Sequence, residues 1–205
     1  MDIINAAIRA LGGKRNISAT DKTNAAEEMQ AAYRLVRDVL IRSYSWNCCI
    51  KRDTAAFIEE SDNMLYREYK YIYQVPSDCL GIISLNDRFT GYSGVELTES
   101  YNPFYKIRGD KIYTRYKPPL IIEYKYRNED VSSYDACFCN VLSLDLAIKC
   151  CERIKQSSSA EDMLRRQRQD ALDDALRCNA LEIPLRPKPT GNWLRGRIID
   201  EWGVE

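Results

Sequence analysis

Apolar residues recur with a helical period at both ends of this chain and with a strand period in its middle, and that order limits the folds open to it. In residues 2 to 11, Ile4, Ala7, Ile8 and Leu11 share one helical face, and Gly12-Gly13 supplies the left-handed backbone that stops a helix. After a short loop holding Ile17, the oxygens of Ser18, Thr20 and Asp21 are candidate caps for a long helix over about 21 to 45. Its expected apolar stripe is Ala25, Met29, Ala32, Val36, Val39 and Leu40. Glu27, Glu28, Arg34, Arg37, Asp38 and Arg42 fall opposite, and Trp46 follows its end.

From residue 48 the period shortens toward two. "CCIKRDTAAF" is a first strand, and beyond it Tyr69, Tyr71, Tyr73 and Val75 point one way while Lys70, Ile72 and Gln74 point the other. Pro76-Ser77-Asp78 turns the chain, with the Asp78 side-chain oxygen as the expected turn-former, and Cys79 to Leu85 is another strand. Residues 86 to 102 read as a loop or edge ribbon. "YKIRGDKIYTRY" is a hairpin around Gly109-Asp110. Pro118-Pro119 separates it from "LIIEYKYR", where Leu120, Ile122, Tyr124 and Tyr126 share a face.

Helical spacing returns at Ser132, which forms a capping-box pattern with Asp135. Cys137, Val141, Leu144, Ile148 and Cys151 then alternate as in a helix-pairing seam. Ser158 with Glu161 opens a last helix that runs to about Leu181. "EIPLRPKPTGNWLRGR" follows, with no helical period, as an extended arm. Helices, then strands, then helices is an α+β order, since an alternating parallel fold would interleave them. The expected organisation is a bundle made of helices from residues 1–47 and 132–181, an antiparallel β-rich insertion over 48–131, and an extended C-terminal arm over 182–205.

Composition narrows the function. Lys plus Arg equals Asp plus Glu, so the chain lacks the basic excess of a dedicated nucleic-acid binder. It contains no histidine, which removes Ser-His-Asp and Cys-His catalysis, histidine-ligated metals and the usual general base near neutral pH. The eight cysteines include no C-x-x-C pair, and the N-terminus has no basic region followed by an apolar block. They read as small buried hydrophobes in a reducing compartment, with no cofactor or metal implied. No apolar run reaches the length of a membrane span, and Asp2 excludes myristoylation.

Candidate chemistry is thin. Glu59-Glu60-x-Asp62 has the composition of a carboxylate cluster but the spacing of a solvated turn. The basic run from Arg165 to Gln169 reads as a self-neutralised helix face through Asp162–Arg166, Arg166–Asp170 and Asp173–Arg177. "GGKRNIS" lacks the spacing of a phosphate-binding loop. Fourteen tyrosines fit either an ordinary half-buried sheet or a protein interface, with Tyr71 and Tyr73 as interface candidates. The arm adds Trp193, Arg195, Arg197 and Trp202, residue types that anchor docking onto a partner subunit.

Taken in order, "INAAIRALGG", "SYSWNCC", "YIYQVPSDCLGII", "GDKIYTRYKPPLIIEYKYR" and "LSLDLAIKCCERIKQSSS" resemble the tail tubular protein A family of tailed phages, over roughly residues 3 to 181. The specific points are Asn5, Leu11-Gly12, Trp46, the Tyr73-Gln74-x-Pro76-x-Asp78-Cys79 corner and Leu146-Ala147. Asn47-Cys48-Cys49 replaces the family's aromatic-Ala step after the tryptophan. The resemblance implies a structural virion protein and no enzyme: a head-to-tail adaptor that joins the portal protein to the tail nozzle. It implies assembly as a homo-oligomeric ring, usually of twelve copies, closed by rotation. Double-stranded DNA passes through such a ring without specific binding. Two other readings stand beside it. One is a tail-associated glycan hydrolase using carboxylates such as Glu59 or Glu123. The other is a DNA-binding regulator, which would show a steep salt dependence.

Overall fold

The computed structural model describes residues 2–13, 24–60, 69–86, 88–89 and 105–182. Among them stand four helices and two antiparallel sheets, so the fold class is α+β, as the order of periods implies. Helix α1 covers Asp2–Ala10 and stops where expected. Gly12 takes a φ of 77°, its N–H bonds the Arg9 carbonyl at 2.8 Å, and the Gly13 N–H bonds the Ile8 carbonyl at 2.9 Å. This pair of bonds caps the helix, and only a residue without a Cβ takes the first position at little cost. Helix α2 covers Asn24–Ser43; its expected caps, and the 182–205 arm beyond Glu182, lie outside the described residues.

The first strand starts later than its sequence implies. Asn47–Cys49 form a 3₁₀ turn, closed by the Cys49 N–H on the Trp46 carbonyl, and β1 is Ile50–Ala55. Strands β2 (Phe57–Glu60), β3 (Tyr71–Gln74), β4 (Cys79–Leu85) and the two-residue β5 (Arg88–Phe89) follow. The expected hairpin is β6 (Tyr105–Arg108) and β7 (Lys111–Thr114), with Arg108 opposite Lys111 and Gly109 at a φ of 60°. A positive φ at the first central residue is what a two-residue hairpin turn asks of a glycine. Strand β8 is Leu120–Tyr126, and its alternate residues Leu120, Ile122 and Tyr124 are buried.

One sheet has the order β1-β8-β4-β5 and the other β2-β3-β7-β6. The chain therefore changes sheets at Ala56, between two strands that are neighbours in sequence. Their inner faces share one core of Ala55, Tyr71, Tyr73, Leu85, Ile112, Leu120, Ile122 and Tyr124. In β3, Ile72 is buried as well as the tyrosines, so this strand is covered on both faces.

Helices α3 (Ala136–Lys155) and α4 (Ser158–Leu181) complete the bundle. α3 is its hub, packed by α1, α2 and α4. Beyond the expected seam, it buries Phe138, Leu142, Leu146, Ala147 and Cys150. The two caps sit elsewhere than the capping-box patterns place them. The Asp135 carboxylate accepts from the Cys137 and Phe138 N–H groups and starts α3, while Ser132 lies in a separate 3₁₀ turn capped by Asp130. Ser157, not Ser158, caps α4, accepting from the Ala160 N–H. On α2 the buried stripe includes Arg37 and Ile41, and Val39 faces out. No helix among the described residues is long and apolar enough to cross a membrane.

Candidate assembly interface

The residues with most polar partners join the helices to the first sheet. Asp38 of α2 accepts from the buried Arg37 guanidinium at 2.9 Å on one oxygen and from Arg127, just past β8, at 2.9 Å on the other. Glu129 approaches the same Arg37 at 3.4 Å. Further along α2, the Arg42 guanidinium donates to the Leu80 carbonyl of β4, and Lys125 of β8 donates to the Arg42 carbonyl at 2.9 Å. Burial, with Arg42 close by, pushes the Lys125 ammonium below its usual range.

Asn128 closes this joint. Its side-chain amide donates to the Cys48 carbonyl and to the Ser133 hydroxyl, both at 2.8 Å, while its backbone carbonyl accepts from the Tyr134 hydroxyl at 2.6 Å. Sequence reasoning passes over Asn128; an Asn between a strand and a helix start is its only local signal. Trp46 fills the apolar side. Its indole N–H bonds the Leu40 carbonyl at 3.1 Å, and its ring meets Phe138 edge-on at 5.2 Å.

The Pro76–Cys79 corner is held by backbone as much as by side chains. The Cys79 N–H bonds the Pro76 carbonyl at 3.0 Å and makes the turn. The expected turn-former, Asp78, reaches away instead: its carboxylate accepts from the Tyr124 hydroxyl at 3.1 Å and faces Lys51 at 3.8 Å. Gln74 donates to the Asp110 carbonyl and carboxylate, tying the corner to the β6–β7 turn. Tyr71 and Tyr73, named as interface candidates, are packed in the chain's own core. Tyr73 gives its hydroxyl to the Tyr116 carbonyl at 2.8 Å, and burial pushes its phenol up to about 12. Their aromatic face is therefore an ordinary core face in this chain.

The candidate carboxylates do not come together in one element. Glu59 and Glu60 stand exposed on β2, Glu123 accepts from the Ser84 hydroxyl at 3.1 Å in the other sheet, and Asp62 lies outside the described residues. A depression of about 520 Å³ at the α3–α4 turn is lined by Glu152, Gln156, Ser157, Ser158 and Glu161. On α4 the ion pairs are Glu161–Arg165, Asp174–Arg177 and, across to α3, Asp145–Arg168, in place of the three expected pairings. Among the described residues no group of three Cys, Asp or Glu is gathered as a metal-holding set. The eight cysteines are free thiols, three of them buried and Cys178 exposed.

What the molecule offers outward is shape. Leu35 and Val39 are more than half exposed one turn apart on α2. β2 and β6 end the second sheet on opposite sides. At the foot of α4, the Asn47 N–H bonds the Asn179 side chain at 2.8 Å, and the Asn47 amide donates to the Asn179 carbonyl and the Glu182 carboxylate. Glu182 is the last described residue, and the arm candidates Trp193, Arg195, Arg197 and Trp202 lie outside the described residues. Comparison with protein-family models and with curated proteins gives no match to this chain.

Proposed function

We propose that this chain is a structural virion protein of a tailed phage, a ring-forming head-to-tail adaptor that joins the portal to the tail and forms part of the DNA channel. The observation that carries the reading is where the resembling residues fall. Trp46 is bonded to the end of α2 and packed on Phe138 of α3, and the Gln74–Cys79 corner is bonded to the β6–β7 turn and to Tyr124 of β8, so each fixes one element against another. Their work is to hold a shape, which is what a conduit subunit requires. Zero net charge suits a channel through which phosphates pass, because a strongly cationic wall would retain them by counterion release. Subunits of such a ring meet through heterologous surfaces that close by rotation.

Negative-stain imaging of the purified protein mixed with the portal of its own phage tests this. A closed ring stacked on the portal axis is the expected result; failure of any ring or cap to form would remove the reading. The arm has its own test. Removing residues 183–205 keeps the Glu182–Asn47 contact, and we expect it to abolish docking while leaving the circular dichroism spectrum and Tm unchanged. Full docking by the truncated chain would show that the tryptophans and arginines of the arm are not the anchor.

A further inference from the structure

The second sheet ends on each side in an exposed strand. Among the described residues β2 is bonded to β3 alone and β6 to β7 alone. All four residues of β2 are exposed, as are Lys106, Ile107 and Arg108 of β6. A strand edge presents a row of backbone donors and acceptors to any chain that comes near. Both edges also carry apolar side chains: Phe57 and Ile58 are 46% and 40% exposed on β2, and Ile107 is 45% exposed on β6.

The two edges are opposite in charge. β2 ends in Glu59-Glu60, and β6 carries Lys106 and Arg108. Lys106 lies over the Tyr69 ring at 5.4 Å, which keeps its stem along the sheet. The edges are also opposite in direction, because three successive antiparallel pairings separate β2 from β6. A second copy in the same orientation therefore brings its β6 antiparallel to the first copy's β2.

We infer that β6 of one copy adds to β2 of the next, so that this sheet runs on from subunit to subunit. The antiparallel register that sets Glu59 opposite Lys106, both on the Ile72 face, brings Ile107 against the Phe57–Ile58 step on the Tyr73 face, matching acid to base and apolar to apolar. The symmetric alternatives match badly. In full antiparallel overlap, two β2 edges set Phe57 opposite Glu60 and Ile58 opposite Glu59, and two β6 edges set Tyr105 opposite Arg108 and Lys106 opposite Ile107, leaving every charge without an opposite one across the seam. The occupant is thus a second copy of this chain, placed head to tail, which gives a ring where the rotation closes and a filament where it does not. A register shift between Phe57 and Glu59 on the inner side bends the edge and guards it against indiscriminate pairing. A ladder this short holds weakly, which fits assembly completed on a template. The inference rests on the ring reading and names its contact.

The test uses the full chain in sedimentation velocity over a concentration series, with hydrogen–deuterium exchange on the same samples. Wild type is expected to self-associate at high concentration, with the amides of 57–60 and 105–108 gaining protection. Glu59→Lys and Lys106→Glu should each weaken association about tenfold or more, and the double variant should return to within about threefold of wild type. Circular dichroism checks that each variant folds; if one does not, Glu59→Gln and Lys106→Gln in a salt series replace it. Charge swaps without effect, while rings still form on the portal, would remove this contact and leave the ring reading. Swaps that act as expected on open filaments, with no ring on the portal, would keep the contact and remove the ring. No association at any concentration and no ring would end both.

Discussion

Cys48 and Cys49 carry the same thiol one residue apart, yet their surroundings push them in opposite directions. The Cys49 thiol, 3.7 Å from Cys48, hydrogen-bonds it and brings it down to about 7 against its partial burial. That same bond, with burial, pushes Cys49 up. Cys48 is an acid with a depressed folded value. Its contribution to stability is present above the ordinary thiol range, about 8.5, and is lost as pH falls through about 7. Cys49 is displaced upward and opposes that gain above the ordinary range. Alkylation of Cys48, followed by mass spectrometry, should therefore rise through a pH of about 7. Cys49→Ala should move the rise back toward about 8.5, and an unmoved profile would exclude the thiol pair as its cause. None of this is legible in "NCC", since the effect needs the 3₁₀ turn that sets the two sulfurs side by side.

Elements were legible where their signal is local. Alternation in β8 and the Gly109 turn follow from residues adjacent in the chain, and the structure keeps both. Helix starts carry a weaker signal, because Ser132, Asp135, Ser157 and Ser158 all have oxygens suited to capping. Geometry selects Asp135 and Ser157. Asp135→Ala should accordingly cost about 1 kcal/mol in urea unfolding, and Ser132→Ala only a few tenths. Equal losses would return the cap to Ser132. The division into two sheets was not legible, because strand partners are set by contacts far apart in sequence. Ile72 shows the same limit: its side of β3 reads as polar, and tertiary packing buries it.

At the scale of the whole molecule, helices and sheets are joined through a charged network that the helical stripe of α2 conceals. Arg37 sits on the buried side of that stripe, 4% exposed, because Asp38 and Glu129 neutralise it there. Asp38→Ala should cost about 2–3 kcal/mol, since it strands a buried cation that Glu129 only partly balances. Asp38→Asn should cost less, having kept a hydrogen bond. A denaturant midpoint that hardly moves in either variant would mean that the joint depends on Trp46 and its apolar neighbours alone. The Asn47–Asn179–Glu182 cluster extends the joint across residues more than 130 positions apart. A pull on whatever follows Glu182 is delivered first to those bonds, at the root of the β insertion. Glu182 holds one of them and Asn179, three residues back, the other two, so a load on Glu182 meets a single contact and then a paired one, with Asn47 as the common anchor.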